Sequence, residues 1–168
     1  MVKAKSQIEK ACFGAGCFWG VQYVFDKFMG VLKTEAGYMG GKMKNPTYKM
    51  VCADLTGHAE VVYLEFDPSK ISYEKILEIF FKCHDPTTMN RQGPDVGNQY
   101  RSAIFYYSPA QKTTAEKFLK KYEKELGKKI VTSIEPAKEF YSAEGYHQKY
   151  YDKKGSVPYC HVVPKVKI

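Results

Sequence analysis

The spacing of apolar residues along the chain predicts four helices. The first has apolar residues at i, i+3, i+4 and i+7, which are Val21, Val24, Phe25 and Phe28. Gly30 follows them and marks its end. Ser72 caps the second, whose apolar stripe is Tyr73, Ile76, Leu77, Phe80 and Phe81. The third has Ser108 at its cap, Pro109 at its first position, Gly127 past its end, and the stripe Ala115, Phe118, Leu119, Tyr122 and Leu126. A fourth helix is predicted from Ala143 to Tyr151.

Five segments are predicted to be β-strands. They are Lys10–Gly16, Thr34–Tyr38, Glu60–Phe66, Ser102–Tyr107 and Ile130–Glu135. Because strands and helices mix without strict alternation, we expect an α+β two-layer sandwich with helices packed on a mixed or antiparallel sheet. The long stretch from His84 to Tyr100 contains prolines and glycines and few apolar residues, and it is predicted to be a functional loop.

Length and composition indicate one folded domain. The chain has 168 residues, of which 44% are hydrophobic and 26% charged, the balance of a globular protein. It contains no apolar run long enough to span a membrane. The segment Met1–Lys10 lacks the apolar stretch of a signal peptide, so we expect a cytoplasmic protein.

Charge and cysteine content argue against several function classes. The formal charge is +8, but the lysines are scattered, so we expect a solvated surface and no nucleic-acid partner. The five cysteines are an odd number and include no Cys-x-x-Cys pair, which argues against a disulfide framework, a zinc ribbon and a thioredoxin-like motif. No cluster has the spacing of a metal site, and we expect no cofactor.

Cys17 is the candidate nucleophile. It follows Gly14 and Gly16 at the end of the first strand, where a helix begins. Unpaired backbone N–H groups at that position favour an anion, which predicts a lowered pKa for the Cys17 thiol. A thiolate is the reactive form of a cysteine.

Around Cys17 the sequence Gly16-Cys17-Phe18-Trp19-Gly20 resembles the signature of the type A peptide methionine sulfoxide reductases. Further motifs of that family follow in its order and spacing, and the match extends from about Ala11 to Cys160. They are Gly37-Tyr38-x-Gly40-Gly41, Asn45-Pro46-Thr47-Tyr48, Gly57-His58-Ala59-Glu60, His84-Asp85-Pro86 and Arg91-Gln92-Gly93-x-Asp95-x-Gly97-x-Gln99-Tyr100-Arg101-Ser102.

The resemblance implies both an activity and a fold. The activity is reduction of methionine (S)-sulfoxide, free or in proteins, with repair of oxidised proteins as its consequence. The implied fold is a two-layer α+β sandwich with a ferredoxin-like core. It also implies recycling by thioredoxin as an external reductant. We further expect a monomer without a bound cofactor.

The resemblance assigns roles to individual residues. Cys17 would attack the sulfoxide sulfur, and Phe18 and Trp19 would hold the terminal methyl group of the substrate. The sulfoxide oxygen would be surrounded by Tyr48, Glu60 and Tyr100. The acid Asp95 would organise the site.

For Glu60 the strand pattern gives an independent argument. Alternation places its side chain on the same face as Val62, Leu64 and Phe66. A carboxyl on an apolar face has a raised pKa and remains protonated near neutrality. A protonated acid is what a sulfoxide oxygen needs as it leaves sulfur.

Turnover requires a second thiol that condenses with the sulfenic acid left on Cys17. The resemblance implies Cys160, in a mobile tail over residues 152–168 of a single catalytic domain, with the Cys17–Cys160 disulfide as the species that thioredoxin reduces. No further cysteine follows Cys160, so we expect no onward relay. Cys12, Cys52 and Cys83 remain as alternatives.

Three rival functions remain. A cysteine hydrolase would use Cys17 with His84 or His147 as base, a peroxide-reducing or redox-sensing protein would share the sulfenic acid chemistry, and a basic nucleic-acid binder would need no site. No chemical role is predicted for His58 or His84. His147 is expected to orient a site carboxylate or to pack on Tyr151, and His161 to lower the pKa of Cys160.

Overall fold

A computed structural model describes residues 7–167, and a six-stranded mixed sheet organises them. The first half contains β1 (Glu9–Ala15), α1 (Phe18–Phe25), β2 (Val31–Met39), α2 (Tyr48–Cys52), β3 (Ala59–Phe66) and α3 (Tyr73–Cys83). The second half contains β4 (Arg91–Gln92), β5 (Asp95–Val96), β6 (Ser102–Tyr106), α4 (Pro109–Leu126), β7 (Ser133–Pro136), β8 (Tyr141–Ser142) and α5 (Tyr150–Lys154). Two 3-10 turns, Asn98–Tyr100 and Gly145–His147, complete the assignment.

Strand order identifies the architecture. The sheet runs β7-β6-β1-β3-β2-β8, and its neighbours are antiparallel except for the parallel pair β6 and β7. Within it, β1-α1-β2 and β3-α3-β6 form two strand–helix–strand units that place β6, β1, β3 and β2 side by side. This arrangement is a ferredoxin-like core, so the predicted α+β sandwich is confirmed.

The main hydrophobic core lies between the sheet and its helices. Phe13 of β1 stacks on Phe25 of α1 and on Phe80 of α3, with ring centroids 5.7 and 4.9 Å apart. The opposite face of the sheet is also buried, by a smaller apolar cluster against which Ala137 and Phe140 pack. A loop therefore covers the face that the helices leave open.

The predicted second and third helices are confirmed, together with their caps. The Ser72 hydroxyl accepts a hydrogen bond from the Lys75 amide at 3.1 Å, and the Ser108 hydroxyl accepts one from the Gln111 amide at 3.2 Å. Gly127 ends α4 in the left-handed conformation, with φ 65°. The first helix begins at Phe18, three residues before its apolar stripe, and Phe28 packs on the core beyond its end.

The predicted fourth helix, Ala143 to Tyr151, is wrong as a continuous element. Its middle forms the 3-10 turn, Lys149 adopts φ 55°, and α5 starts at Tyr150. The Gln148 side chain accepts a hydrogen bond from the Ala36 amide at 2.9 Å and donates one to the Ala36 carbonyl at 2.8 Å. Side-chain pairing with the edge of β2 thus replaces helical pairing in this segment.

The long segment from His84 to Tyr100 is more structured than a loop. The two-residue strands β4 and β5 pair antiparallel within it, and Gly93 turns between them with φ 54°. No helix within residues 7–167 is long and apolar enough to cross a membrane.

His84 couples α3 to β6 and gives the fold a dependence on pH. Its Nδ1–H donates to the Phe80 carbonyl at 2.6 Å, and its Nε2 accepts from the Ser102 hydroxyl at 2.8 Å. Burial lowers the pKa of His84 to about 3 from its ordinary 6.5. The ring is therefore neutral in the folded protein at every physiological pH.

The free energy of unfolding is expected to fall as the pH drops from 6.5 towards 3. In that window the unfolded chain binds a proton at His84 that the native protein does not bind, so acid favours unfolding. Urea unfolding between pH 7 and pH 4 measures the slope. His84→Gln removes the titrating ring, so its slope should be smaller even though its stability at pH 7 is lower; equal slopes would contradict this account.

Candidate active site

Cys17 occupies the N-cap of α1, directly after β1. Gly16 makes the turn between them with φ 90°, and a Cβ at this position would lie 2.6 Å from the Gln92 side chain. A glycine is therefore required on both conformational and steric grounds. The Cys17 carbonyl accepts a hydrogen bond from the Gly20 amide at 3.2 Å, and its thiol is free and half-buried.

The predicted lowering of the Cys17 pKa is wrong for the substrate-free protein. Burial raises the pKa of the thiol, and the Glu60 charge raises it further. Hydrogen bonds from the Trp19 and Gly20 amides act in the expected direction, but they are outweighed. The helix N-terminus does favour the thiolate, yet desolvation decides the direction of the shift.

Glu60 lies in β3 opposite Tyr38, on the face that packs against α1. The residue is 1% exposed. Its Oε1 accepts a hydrogen bond from the Phe18 amide at 3.2 Å, whereas Oε2 has no partner among the described residues. Burial raises the pKa of Glu60 to about 8, and this outweighs the Phe18 hydrogen bond. The expected protonated carboxyl is confirmed, and its Oε2 makes no hydrogen bond with the described residues.

Two tyrosines surround this carboxyl. Tyr48 is the first residue of α2, which Thr47 caps by accepting a hydrogen bond from the Met50 amide at 3.3 Å. Tyr100 ends the 3-10 turn before β6. Burial raises the pKa of both phenols, and the Glu60 charge contributes to both shifts. Both hydroxyls therefore remain protonated, which makes them hydrogen-bond donors near Glu60.

Asp95 and Cys160 are in contact with each other, and the Asp95 charge acts on the Cys17 thiol. The Cys160 thiol donates a long hydrogen bond, 3.9 Å, to Asp95 Oδ2. Burial raises the pKa of Asp95, and burial followed by the Asp95 charge raises that of Cys160. The tail thus brings its cysteine to the hairpin that carries Asp95.

An aromatic wall adjoins the thiol. The Trp19 indole stacks on Tyr150 with ring centroids 3.7 Å apart, and its Nε1–H donates to His147 Nδ1 at 2.8 Å. Phe18 lies against His147 and Tyr48, at 5.1 and 6.3 Å between centroids. The two aromatics after Cys17 are therefore held by groups that come from distant parts of the chain.

Glu144 connects these parts and was not identified from the sequence. Its carboxylate accepts hydrogen bonds from the Tyr38 hydroxyl at 2.9 Å and from the Tyr48 amide at 3.1 Å. Tyr150 was missed as well. No local pattern marks either residue, because their partners lie about a hundred or more positions away in sequence.

Comparison with known proteins decides the family. The model of the peptide methionine sulfoxide reductase family matches residues 9–168. The chain belongs to this family.

Relatives and solved structures agree with this assignment. A peptide methionine sulfoxide reductase MsrA from Sulfolobus acidocaldarius is 56% identical over 162 residues, which cover 95% of this chain and 92% of the relative. The crystal structure of reduced Mxr1 from Saccharomyces cerevisiae superposes with a TM-score of 0.90 at 35% identity and covers 96% of this chain and 95% of that one. The structure of Mxr1 in complex with Trx2 matches with a TM-score of 0.65 at 24% identity over 98% and 96% of the two chains.

The histidines of this reductase have structural contacts. His58 accepts a hydrogen bond from the Gly41 amide at 2.9 Å, and its other nitrogen contacts the Met43 carbonyl. His147 Nδ1 accepts a hydrogen bond from the Trp19 indole, so this ring orients Trp19, and its Nε2 has no hydrogen-bond partner among the described residues. The ring of His161 contacts the Ala15 carbonyl, and the pKa of Cys160 is raised, so the expected lowering of that pKa is wrong.

These contacts weaken the cysteine hydrolase alternative. Both His84 nitrogens are engaged by Phe80 and Ser102, so this ring is not available as a base for Cys17. The acid Glu60, which is buried, is the side chain that is hydrogen-bonded to the first turn of α1. Within residues 7–167 no three His, Cys, Asp or Glu side chains are grouped as metal ligands.

In the reductase, Glu60→Gln is expected to accelerate alkylation of Cys17 at pH 9 to 10. Glu60 is charged in that range and raises the pKa of the thiol, so its removal increases the thiolate fraction. Iodoacetamide labelling with peptide mass mapping gives the rate. Glu65→Gln is the matched control, since Glu65 lies in the same strand and outside the buried core. Equal rates in wild type and Glu60→Gln would contradict the assigned electrostatic coupling.

Proposed function

We propose that this chain reduces methionine sulfoxide to methionine with Cys17 as the attacking sulfur and Glu60 as the proton donor. One observation carries the assignment of roles: the buried Glu60 carboxyl, whose pKa is raised to about 8, accepts a hydrogen bond from the amide of Phe18, the residue that follows Cys17. The overall reaction is inferred from membership of the family, and its individual steps are inferred from the side chains of the site.

Substrate binding uses the aromatic wall. The terminal methyl group of methionine sulfoxide packs against Phe18 and Trp19, whose rings the contacts with His147 and Tyr150 hold in place. Burial of a methyl group there is favourable by about 0.8 kcal/mol. With the methyl group fixed, the sulfoxide oxygen is directed towards the Glu60 carboxyl. The family resemblance favours the S epimer.

In the first step the sulfur–oxygen bond of the substrate breaks and a sulfur–oxygen bond to Cys17 forms. Cys17 attacks, Glu60 protonates the sulfoxide oxygen, and that oxygen ends on Cys17 as a sulfenic acid while methionine leaves. The thiol proton of Cys17 replaces the one that Glu60 donates, so the net transfer is one proton from sulfur to oxygen. A thiol that is protonated at rest suits this route, because its proton is needed by the acid.

Tyr48 and Tyr100 support the same oxygen. Their hydroxyls remain protonated near Glu60 and donate hydrogen bonds as charge develops on the sulfoxide oxygen. We assign Asp95 to organising the site, because it receives the Cys160 thiol at the hairpin of β4 and β5.

In the second step Cys160 resolves the sulfenic acid. Its thiol attacks Cys17 sulfur, a disulfide forms, and the hydroxyl group leaves as water with the thiol proton. The position of the tail supports this pairing, because His161, directly after Cys160, is hydrogen-bonded to the Ala15 carbonyl, two residues before Cys17. The segment between the end of α5 at Lys154 and Cys160, in which Val157 and Tyr159 are exposed, is the part that adjusts its position in this step.

Recycling returns two electrons to the disulfide. The complex of Mxr1 with Trx2 supports a thioredoxin as the external reductant, which acts as a partner and not as a bound cofactor. We further propose that the enzyme acts as a cytoplasmic monomer.

The rate of the first turnover should decrease in wild type as the pH rises through about 8, because Glu60 loses the proton that it donates. Glu60→Gln should be slow throughout and lack this decrease. Rapid-quench measurement of methionine formed per enzyme, from pH 6 to pH 9.5, tests both. Glu65→Gln should behave as wild type, and a fast Glu60→Gln enzyme would remove Glu60 as the donor.

Cys160→Ser is expected to form about one methionine per enzyme and then stall with thioredoxin, because the sulfenic acid has no partner. Steady-state turnover with thioredoxin and mass analysis of Cys17 provide the measurement. Cys52→Ser is the control, since Cys52 is exposed and a serine hydroxyl retains the hydrogen bond with Tyr48. Sustained turnover of Cys160→Ser would assign the resolving role to another thiol.

A further inference from the structure

The residue after Cys160 is fixed more firmly than the residues before it. His161 is 5% exposed, whereas Val157 and Tyr159 are 71% and 72% exposed. His161 Nε2–H donates a hydrogen bond of 2.6 Å to the Ala15 carbonyl, two residues before Cys17. The donor must be the histidine, because a carbonyl oxygen is an acceptor.

Two glycines form a slot for the His161 ring. A Cβ at Gly20, in the first turns of α1, would collide with Nδ1 of His161, and one at Gly16 would approach Nε2 to 3.4 Å. Gly20 has ordinary helical conformation, and the ring is what occupies the space of its missing side chain. The two glycines that form the slot therefore flank Cys17 in sequence.

A second contact extends the docking beyond the ring. The Val162 amide donates to the Cys83 carbonyl at the end of α3, at 3.3 Å. The Cys160 thiol itself is held by side chains, through a long hydrogen bond of 3.9 Å to Asp95 and one with its exposed neighbour Tyr159. The position of Cys160 is thus determined mainly by the two residues that follow it.

We propose that His161 is a positioning residue for the second step, whose ring docks in the slot of Gly16 and Gly20 and so holds Cys160 beside Cys17. This inference rests on the proposed role of Cys160 as the resolving cysteine. Docking before the chemistry reduces the conformational entropy that must be lost when the disulfide forms. His161 contacts the backbone near Cys17 and takes no part in sulfoxide reduction.

His161→Ala should separate the two steps. Without external reductant, methionine should form in the first turnover at the wild-type rate, and the Cys17–Cys160 disulfide should follow roughly tenfold more slowly or worse. A tenfold loss corresponds to about 1.4 kcal/mol. Samples quenched over time give methionine by chromatography and the disulfide by mass mapping. Val163→Ala, a change in the same tail at a residue 44% exposed, is the matched control.

Gly20→Ala tests the slot independently of the histidine side chain. The added methyl group should displace the ring and slow disulfide formation as His161→Ala does. In the double variant the space is vacant, so Gly20→Ala should cause no further loss beyond His161→Ala. His161→Gln, which retains an N–H donor for Ala15, should recover part of the rate.

The outcomes distinguish two failures. If wild type forms no Cys17–Cys160 disulfide, the proposed resolving role of Cys160 fails, and the role of His161 fails with it. If wild type and His161→Ala form the disulfide equally fast, only the His161 inference is overturned. If His161→Ala slows methionine formation to the same extent, the ring supports the whole site and the inference is again overturned.

Discussion

The hydrogen bond from the Phe18 amide to Glu60 joins the first turn of α1 to the centre of the sheet, and the site depends on this junction. The Glu60 carboxyl accepts a hydrogen bond from one of the amides that a helix N-terminus leaves unpaired. That contact alone would favour a charged carboxylate. Burial is the larger effect, and it raises the pKa of Glu60 to about 8. The same residue is thereby held in place and kept as an acid.

The ferredoxin-like core could be predicted in outline because its signals are local. Ser72 and Ser108 cap their helices where the sequence indicates, and Glu60 lies on the buried face that strand alternation assigns to it. The fourth helix failed for a physical reason. Gln148 pairs with the backbone of Ala36, more than a hundred residues away, and this competes with helical hydrogen bonding that local sequence would favour.

Only those site residues that lie within recognisable sequence motifs could be predicted. The Trp19 indole is oriented by His147 and Tyr150, and the start of α2 by Glu144, through contacts that exist only once the chain has folded. The pKa of Cys17 was mispredicted because position at a helix N-terminus is visible in sequence, whereas the depth of burial is not. The sequence indicates the helix dipole at Cys17, but it does not indicate the larger effect of desolvation on the pKa of the thiol.

A protonated thiol beside a protonated carboxyl has a consequence for selectivity. Neither Cys17 nor Glu60 carries a charge in the resting site at neutral pH, so the sulfur is poorly nucleophilic towards alkylating agents and peroxides in solution. A sulfoxide that accepts the Glu60 proton leaves a carboxylate able to take the proton of Cys17. The thiolate is then generated at the moment when its target is in place. Desolvation, which raises both pKa values, therefore couples activation of sulfur to the presence of substrate.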